Sequence, residues 1–217
     1  RYLDIPKYIR KAIHPSVRYH PSVIIGFGVG ESIAALFCRK PCIVFTDSEP
    51  VPLQNLITRL TGSVIITPDC FTKKLGRKHI RTCSYKELAY LHPNCFQPDR
   101  GIYRELGLAE GTHYVILRFN VFDAMHDVGR CGFPEQYQVE MVRQLGKYAR
   151  VFIAPEKEVP PGLRRYILLV ESDRIHHVLY YAQLLVTDTQ TMATEAAILG
   201  TPVVRCNNFV GPGDMGN

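Results

Sequence analysis

No apolar run in this chain approaches the roughly 18 residues a membrane-spanning helix needs, although 46% of its 217 residues are hydrophobic. No secretory leader is recognisable either, so the expectation is a soluble, cytoplasmic protein without a membrane span, for which peripheral association stays open. Seven cysteines (Cys38, Cys42, Cys70, Cys83, Cys95, Cys131 and Cys206) form neither a CxxC pair nor a Cys/His zinc spacing. An odd number without such a pattern favours reduced thiols over a disulfide framework, and no metal site is expected. Low-complexity tracts are absent. The net charge of +6 comes from scattered Lys and Arg, densest at residues 73–79 (KKLGRKH) on an expected turn. No RNA- or DNA-binding motif and no interleaved aromatics accompany it, so no nucleic-acid partner is expected. Nucleotides, anionic sugars or lipid phosphates account for such a surface equally well.

What the chain does contain is alternation. Residues 6–13 read as a helix with Pro6 near its start, and residues 22–27 (SVIIGF) as a buried strand. A glycine turn, a helix over 33–37 and a strand over 41–46 follow, which makes a parallel βαβ unit. GFGVGES matches GxGxxG poorly, because Ser32 stands nearest the third glycine position and Glu31 would oppose a pyrophosphate. Its glycines read first as backbone turns and second as a ligand-approach loop. Asp47 and Glu49 follow the second strand, where ligands of open α/β sheets sit; Asp47 or Ser48 reads equally well as the cap of the next helix. A strand over 64–67 comes next. Regular periodicity is lost between residues 85 and 107, where Pro93 and Pro98 suggest a linker. The division expected is an N-terminal domain over 1–98, a linker over 99–110 and a C-terminal, nucleotide-binding domain over 111–217.

The second half restarts the pattern, with strands expected at 114–118, 149–153, 167–170, 184–186 and 202–205 and helices at 135–148 and 174–182. Ser172-Asp173 reads as a cap for the latter helix. The fold class expected is therefore α/β: two Rossmann-like parallel-sheet domains facing a cleft. The chain opens at Arg1 and closes at Asn217 without a terminal helix, so truncation at both ends is expected.

Residues 184–208 (LLVTDTQTMATEAAILGTPVVRCNN) carry the sharpest signal. They read as strand, polar turn, small-faced helix, Gly200 C-cap and strand. An ordinary capped helix explains this order; a polar loop at a helix N-terminus is also a ready anion site, and Glu195 on the early turns could accept two hydrogen bonds from a sugar diol. The other concentration of chemistry is residues 118–130 (RFNVFDAMHDVGR). There His126 titrates near neutrality with Asp127 or Asp123 beside it, and Arg118 could neutralise a diphosphate. The bland alternative is a solvated or capping loop histidine. Adjacent His176 and His177 point different ways on a helix, so at most one can face the cleft.

The runs LRFNVFDAMHDVGRCGF, RIHHVLYYAQLLVTDTQTMATEAAILGTPVVRCNNFVGPGDMGN and AYLHPNCFQPD together resemble the prokaryotic family catalogued as domain of unknown function 354. That family is similar to GT-B glycosyltransferases and to non-hydrolysing UDP-N-acetylglucosamine 2-epimerases, with a nucleotide-sugar cleft between two Rossmann-like domains. The epimerase pattern has an aspartate, a Ser-Gly-Gly loop, a ribose-holding glutamate and Leu-Gly-x-Pro. Asp188, Glu195, Leu199, Gly200 and Pro202 fall in that register, so the resemblance gives Glu195 the ribose and Thr189, Gln190 and Thr191 the phosphates. The epimerase-like His-Gly-Asp turn is replaced here by Gly26-Phe27-Gly28, and the Pro-Glu-Glu-x-Asn-Arg run is missing.

The resemblance thus implies a nucleotide-sugar-dependent GT-B glycosyltransferase of glycan or polysaccharide biosynthesis. Its donor would be a nucleotide sugar, UDP-linked by preference, used as substrate with no further cofactor; the acceptor is not specified. His126, Asp127, Asp47 and Glu49 are the catalytic candidates, and Arg118, Thr189, Gln190, Thr191 and Glu195 the nucleotide-binding ones. A 2-epimerase-like isomerase and a non-catalytic nucleotide-sugar-binding protein on the same fold are the alternatives.

Overall fold

The structure is a computed structural model that describes residues 5–47, 49, 51–119, 133–156 and 158–206, the first four of these as backbone only. It opens on helix α1 (Ile5–Tyr19), which runs through Pro15. Proline removes one helical donor there, and on the next residue the Ser16 hydroxyl turns back to donate to the Ala12 carbonyl at 2.8 Å. The helix is thus longer than the sequence pattern predicts.

The first sheet then builds in chain order. Strand β1 (Ile24–Gly26) leads into α2 (Val29–Phe37) and β2 (Cys42–Phe45); α3 (Pro52–Thr61) leads into β3 (Val64–Pro68), and β4 (His79–Thr82) completes it. All pairs are parallel and the spatial order is β1-β2-β3-β4. Pro52 occupies the first turn of α3, where its missing N–H costs nothing. Strand β4 begins inside the basic stretch expected to be a turn. His79 pairs with Ile65, and its imidazole takes the Leu75 N–H at 3.2 Å and meets Thr67 Oγ1 at 2.7 Å.

Two short helices, α4 (Leu88–Leu91) and α5 (Ile102–Glu105), join the halves. The second sheet comprises β5 (Tyr114–Phe119), β6 (Arg150–Pro155), β7 (Leu184–Thr187) and β8 (Val203–Arg205), with α6 (Glu135–Leu145), α7 (Ile175–Tyr181) and α8 (Gln190–Ile198) between them. Its strands are also all parallel, in the order β6-β5-β7-β8. Side chains of β5 alternate between two cores, as a strand covered on both faces requires. Tyr114 and Ile116 pack with Ile102, Val178, Leu179 and Leu185, whereas Val115, Leu117 and Phe119 pack with Val142, Ile153 and Val186. Ile102 and Tyr103 of the expected linker therefore belong to the second core.

A strand expected at 167–170 is reduced to a single bridge, Ile153 to Ile167, with a 3-10 turn on either side. Ser172 and Asp173 lie in the second of these turns and make no cap bond to α7. The C-terminus of α8 follows the sequence closely. Gly200 has φ +84°; its N–H reaches the Ala197 carbonyl at 3.1 Å and the Thr201 N–H reaches Ala196 at 2.9 Å. That pair of bonds is a Schellman motif, which turns the chain sharply back into β8. Among the described residues no helix is long and apolar enough to cross a membrane.

Candidate active site

The two sheets differ in one property that matters for ligands. In the first, successive strands add on one side only, so the order never reverses. In the second, β6 lies on one side of β5 and β7 on the other. The connections thus diverge at the β5/β7 boundary, and the crevice outside the carboxyl ends of those strands is where open α/β sheets take ligands. Arg118 and Thr187 are register partners at that point.

Around it the sequence places much of its polar chemistry. Thr187 Oγ1 accepts the Thr189 N–H at 2.9 Å and lies 2.9 Å from Thr189 Oγ1. Thr189 stands at the N-cap of α8, yet its hydroxyl is turned back on β7 and makes no cap bond. Gln190 is half-buried and Thr191 exposed on the first turn; the Gln190 carbonyl receives the Thr194 hydroxyl at 3.2 Å. Asp188, buried, accepts the Phe133 N–H at 3.3 Å. The Arg118 guanidinium lies along the end of β6, with Nη1 donating to the carbonyls of Ala154 and Pro155 at 3.3 Å each and Nη2 paired with Glu156. Its Nε is buried without a partner.

Glu195, in the middle of α8, is 8% exposed. A buried carboxyl group needs partners, and here both contacts fall on Oε1: it accepts the Tyr90 hydroxyl at 2.8 Å and lies 3.2 Å from His176 Nε2. Burial, and then this hydrogen bond, push the Tyr90 phenol well above its usual range, so it stays a donor. The Tyr90 and His176 rings face each other with centroids 5.4 Å apart. His177 points elsewhere, its Nδ1 accepting the Asp99 N–H at 3.1 Å and its ring on Phe96. Neither Tyr90 nor His176 stood out as functional in the sequence. Their meeting with Glu195 depends on α4, α7 and α8 converging, which no local pattern records.

The acids after β2 part company. Asp47 lines a depression outside the carboxyl ends of the first sheet, together with Phe27, Phe45, Thr67, Tyr85 and Lys86, and is paired with Lys86. Burial would lower the Lys86 ammonium, but Asp47 and Glu87 outweigh it and hold it above the ordinary lysine range. Glu49 turns inward, 2% exposed, and its carboxylate accepts the Lys73 N–H at 2.7 Å and the Thr72 hydroxyl at 3.2 Å. It braces the loop after β3 against the loop after β2 and does not line the depression. The loop after β5 that bears Asp123, His126 and Asp127 lies outside the described residues. Among the described residues no group of three His, Cys, Asp or Glu side chains is arranged to hold a metal ion.

No protein-family model matches the chain, and a search of curated proteins finds no match, so the resemblance to the domain of unknown function 354 rests on the runs quoted above. Solved structures do match in fold. The UDP-N-acetylglucosamine 2-epimerase of Rickettsia bellii superposes with a TM-score of 0.64 at 15% identity, covering 94% of this chain and 61% of its own. The 2-epimerase of Methanocaldococcus jannaschii, in complex with UDP-GlcNAc and UDP, gives 0.62 at 12% identity, covering 93% and 64%. A sucrose-phosphate synthase from Thermosynechococcus elongatus gives 0.55 at 13%, covering 93% and 60%. The architecture is therefore α/β, of two Rossmann-like parallel sheets of the GT-B kind, and the chain spans about three-fifths of the length of these neighbours.

Proposed function

We propose that the chain is the nucleotide-sugar-binding part of a GT-B-type glycosyltransferase, with a UDP-linked sugar as donor. The observation that carries the reading is Glu195: a buried carboxylate on the helix that follows the switch-point strand, held through one oxygen only. In this reading Glu195 accepts the ribose hydroxyls, and the first turn of α8 with Thr189, Gln190 and Thr191 faces the diphosphate. Arg118, at the carboxyl end of β5, stabilises the charge that develops on the leaving nucleoside diphosphate. His126, oriented by Asp127, or Asp47 at the first sheet, serves as base toward the acceptor hydroxyl. Glu49, committed to its loop, is left out of the chemistry.

A second reading is a 2-epimerase-like isomerase, favoured by the fold likeness to epimerases. It lacks the His-Gly-Asp turn, which is Gly26-Phe27-Gly28 in this chain. The test is calorimetric titration of UDP, ADP, GDP and CDP into the wild type and Glu195→Gln. Loss of a charged hydrogen bond to ribose is expected to weaken UDP binding about ten- to a hundredfold. Equal affinity in both proteins removes the ribose assignment, and absence of any nucleotide binding removes the nucleotide-sugar reading. Incubation with UDP-GlcNAc then separates the chemistries: UDP release that depends on an added acceptor marks transfer, an epimeric UDP-sugar marks isomerisation, and neither marks a binding protein.

A further inference from the structure

We infer that Tyr90 and His176 are positioning residues: they hold one oxygen of Glu195 so that the other is presented to the vicinal diol of a bound nucleotide. The inference rests on the nucleotide reading above and adds to it the residues that set the geometry. Both contacts fall on Oε1, at 2.8 Å from the Tyr90 hydroxyl and 3.2 Å from His176 Nε2. Tyr90 donates a hydrogen bond to that oxygen, and the His176 imidazole stands against it at ion-pair distance. Oε2 takes part in neither contact, and it is not among the buried polar atoms left without a partner.

Three separate elements supply the arrangement. Glu195 comes from α8 and His176 from α7, both within the second sheet's helical layer, whereas Tyr90 comes from α4, in the segment that joins the two halves. The Tyr90 and His176 rings contact each other, and Phe96 meets His176 edge-on at 6.3 Å. Neither side chain can shift without disturbing the other. A carboxylate fixed in this way loses little rotational freedom when a ligand binds, which is how a supporting shell converts contact into affinity. The same contacts would also serve a purely structural role, as the partners of a buried charge, so the test must read the ribose itself.

UDP and 2′-deoxy-UDP are titrated into the wild type, Tyr90→Phe, His176→Gln, Glu195→Gln and the Tyr90→Phe/Glu195→Gln double variant, with urea midpoints measured alongside. The wild type is expected to prefer UDP over the deoxy nucleotide by about tenfold, the worth of one hydrogen bond to a charged group. Tyr90→Phe and His176→Gln are each expected to shrink that preference severalfold, and Tyr90→Phe to have no further effect on it once Glu195 is Gln. A structural role alone would lower the midpoints and weaken both nucleotides equally, leaving the preference intact; that result overturns the positioning role while the nucleotide reading stands. A wild type that binds UDP without discriminating the 2′-hydroxyl overturns the ribose role of Glu195, and one that binds neither nucleotide overturns the reading itself; in both cases this inference falls too.

Discussion

Arg118 and Thr187 are register partners on adjacent parallel strands, at the boundary where the order of the second sheet reverses. That pairing fixes which strand ends open onto the crevice, and α8, Asp188 and Glu195 all follow directly from β7 in the chain. The first sheet has no such reversal. The asymmetry is why the nucleotide is assigned to the second half and why Asp47, at the end of β2, is offered to the other substrate.

Arg118→Met tests the anionic side of that crevice. The side chain is half-buried, and its five donors are only partly used by Ala154, Pro155 and Glu156. A guanidinium that serves a diphosphate contributes charge-assisted bonds, so its removal is expected to weaken UDP about ten- to a hundredfold and uridine hardly at all. Parallel titrations of the two ligands check this, and equal losses for both would assign Arg118 to holding β6 alone.

Lys86 should matter more to stability than Asp47 does. It pairs with Asp47 and stands 3.4 Å from Glu87 Oε1, while the Glu87 carboxylate is 0% exposed and has no hydrogen bond on either oxygen. Lys86→Met would leave that buried charge without its cation, at a cost of about 3 kcal/mol. Asp47→Asn leaves the Lys86–Glu87 pair in place and is expected to cost under about 1 kcal/mol. Urea unfolding of the two variants decides the order.

The parallel architecture was legible because both strand runs and helix signals are local. Apolar runs at 22–27, 64–67 and 184–186 sit beside glycine and proline punctuation, and Gly200 announces its Schellman turn. Where structure depends on distant partners, the sequence was less informative. Strand β4 hides in a basic stretch because its identity comes from pairing with β3, and the apolar run at 167–170 failed as a strand because two 3-10 turns flank it and only Ile167 makes a bridge. Glu195 could be picked out by its place on a helix after a polar turn. Tyr90 could not, since 105 positions separate it from the carboxylate it serves.

Gly200→Ala isolates a backbone effect. The position has φ +84°, and a Cβ built there meets no atom within 4 Å. Sterics with neighbours are therefore absent and the whole cost is conformational, about 1–2 kcal/mol for an L residue in the left-handed region. A loss of that size in urea unfolding, with the Kd for UDP unchanged, is expected; a stabilised variant would place Gly200 outside the left-handed region.

Mild acid should destabilise the protein before any carboxylate titrates. Burial, reinforced by Arg81, holds the His79 pKa below its ordinary 6.5, and burial, reinforced by Arg174, does the same for His177. In both rings Nδ1 accepts a backbone N–H, from Leu75 and from Asp99 respectively, and a protonated imidazole cannot accept. The unfolded chain therefore binds more protons than the folded one as pH falls from about 6.5 toward the lowered values. Stability then rises with pH across that window and is fully present above it. The carboxylates that shift do so downward, Asp99 through Arg174 and Glu140 to about 2 through Arg143, so they titrate below this range. Urea midpoints are expected to be level from pH 8 to 7 and to fall between pH 6.5 and 5.5, with a shallower fall in His79→Gln. A flat profile, or one that rises toward acid, would mean that the two imidazoles are not held neutral by the fold.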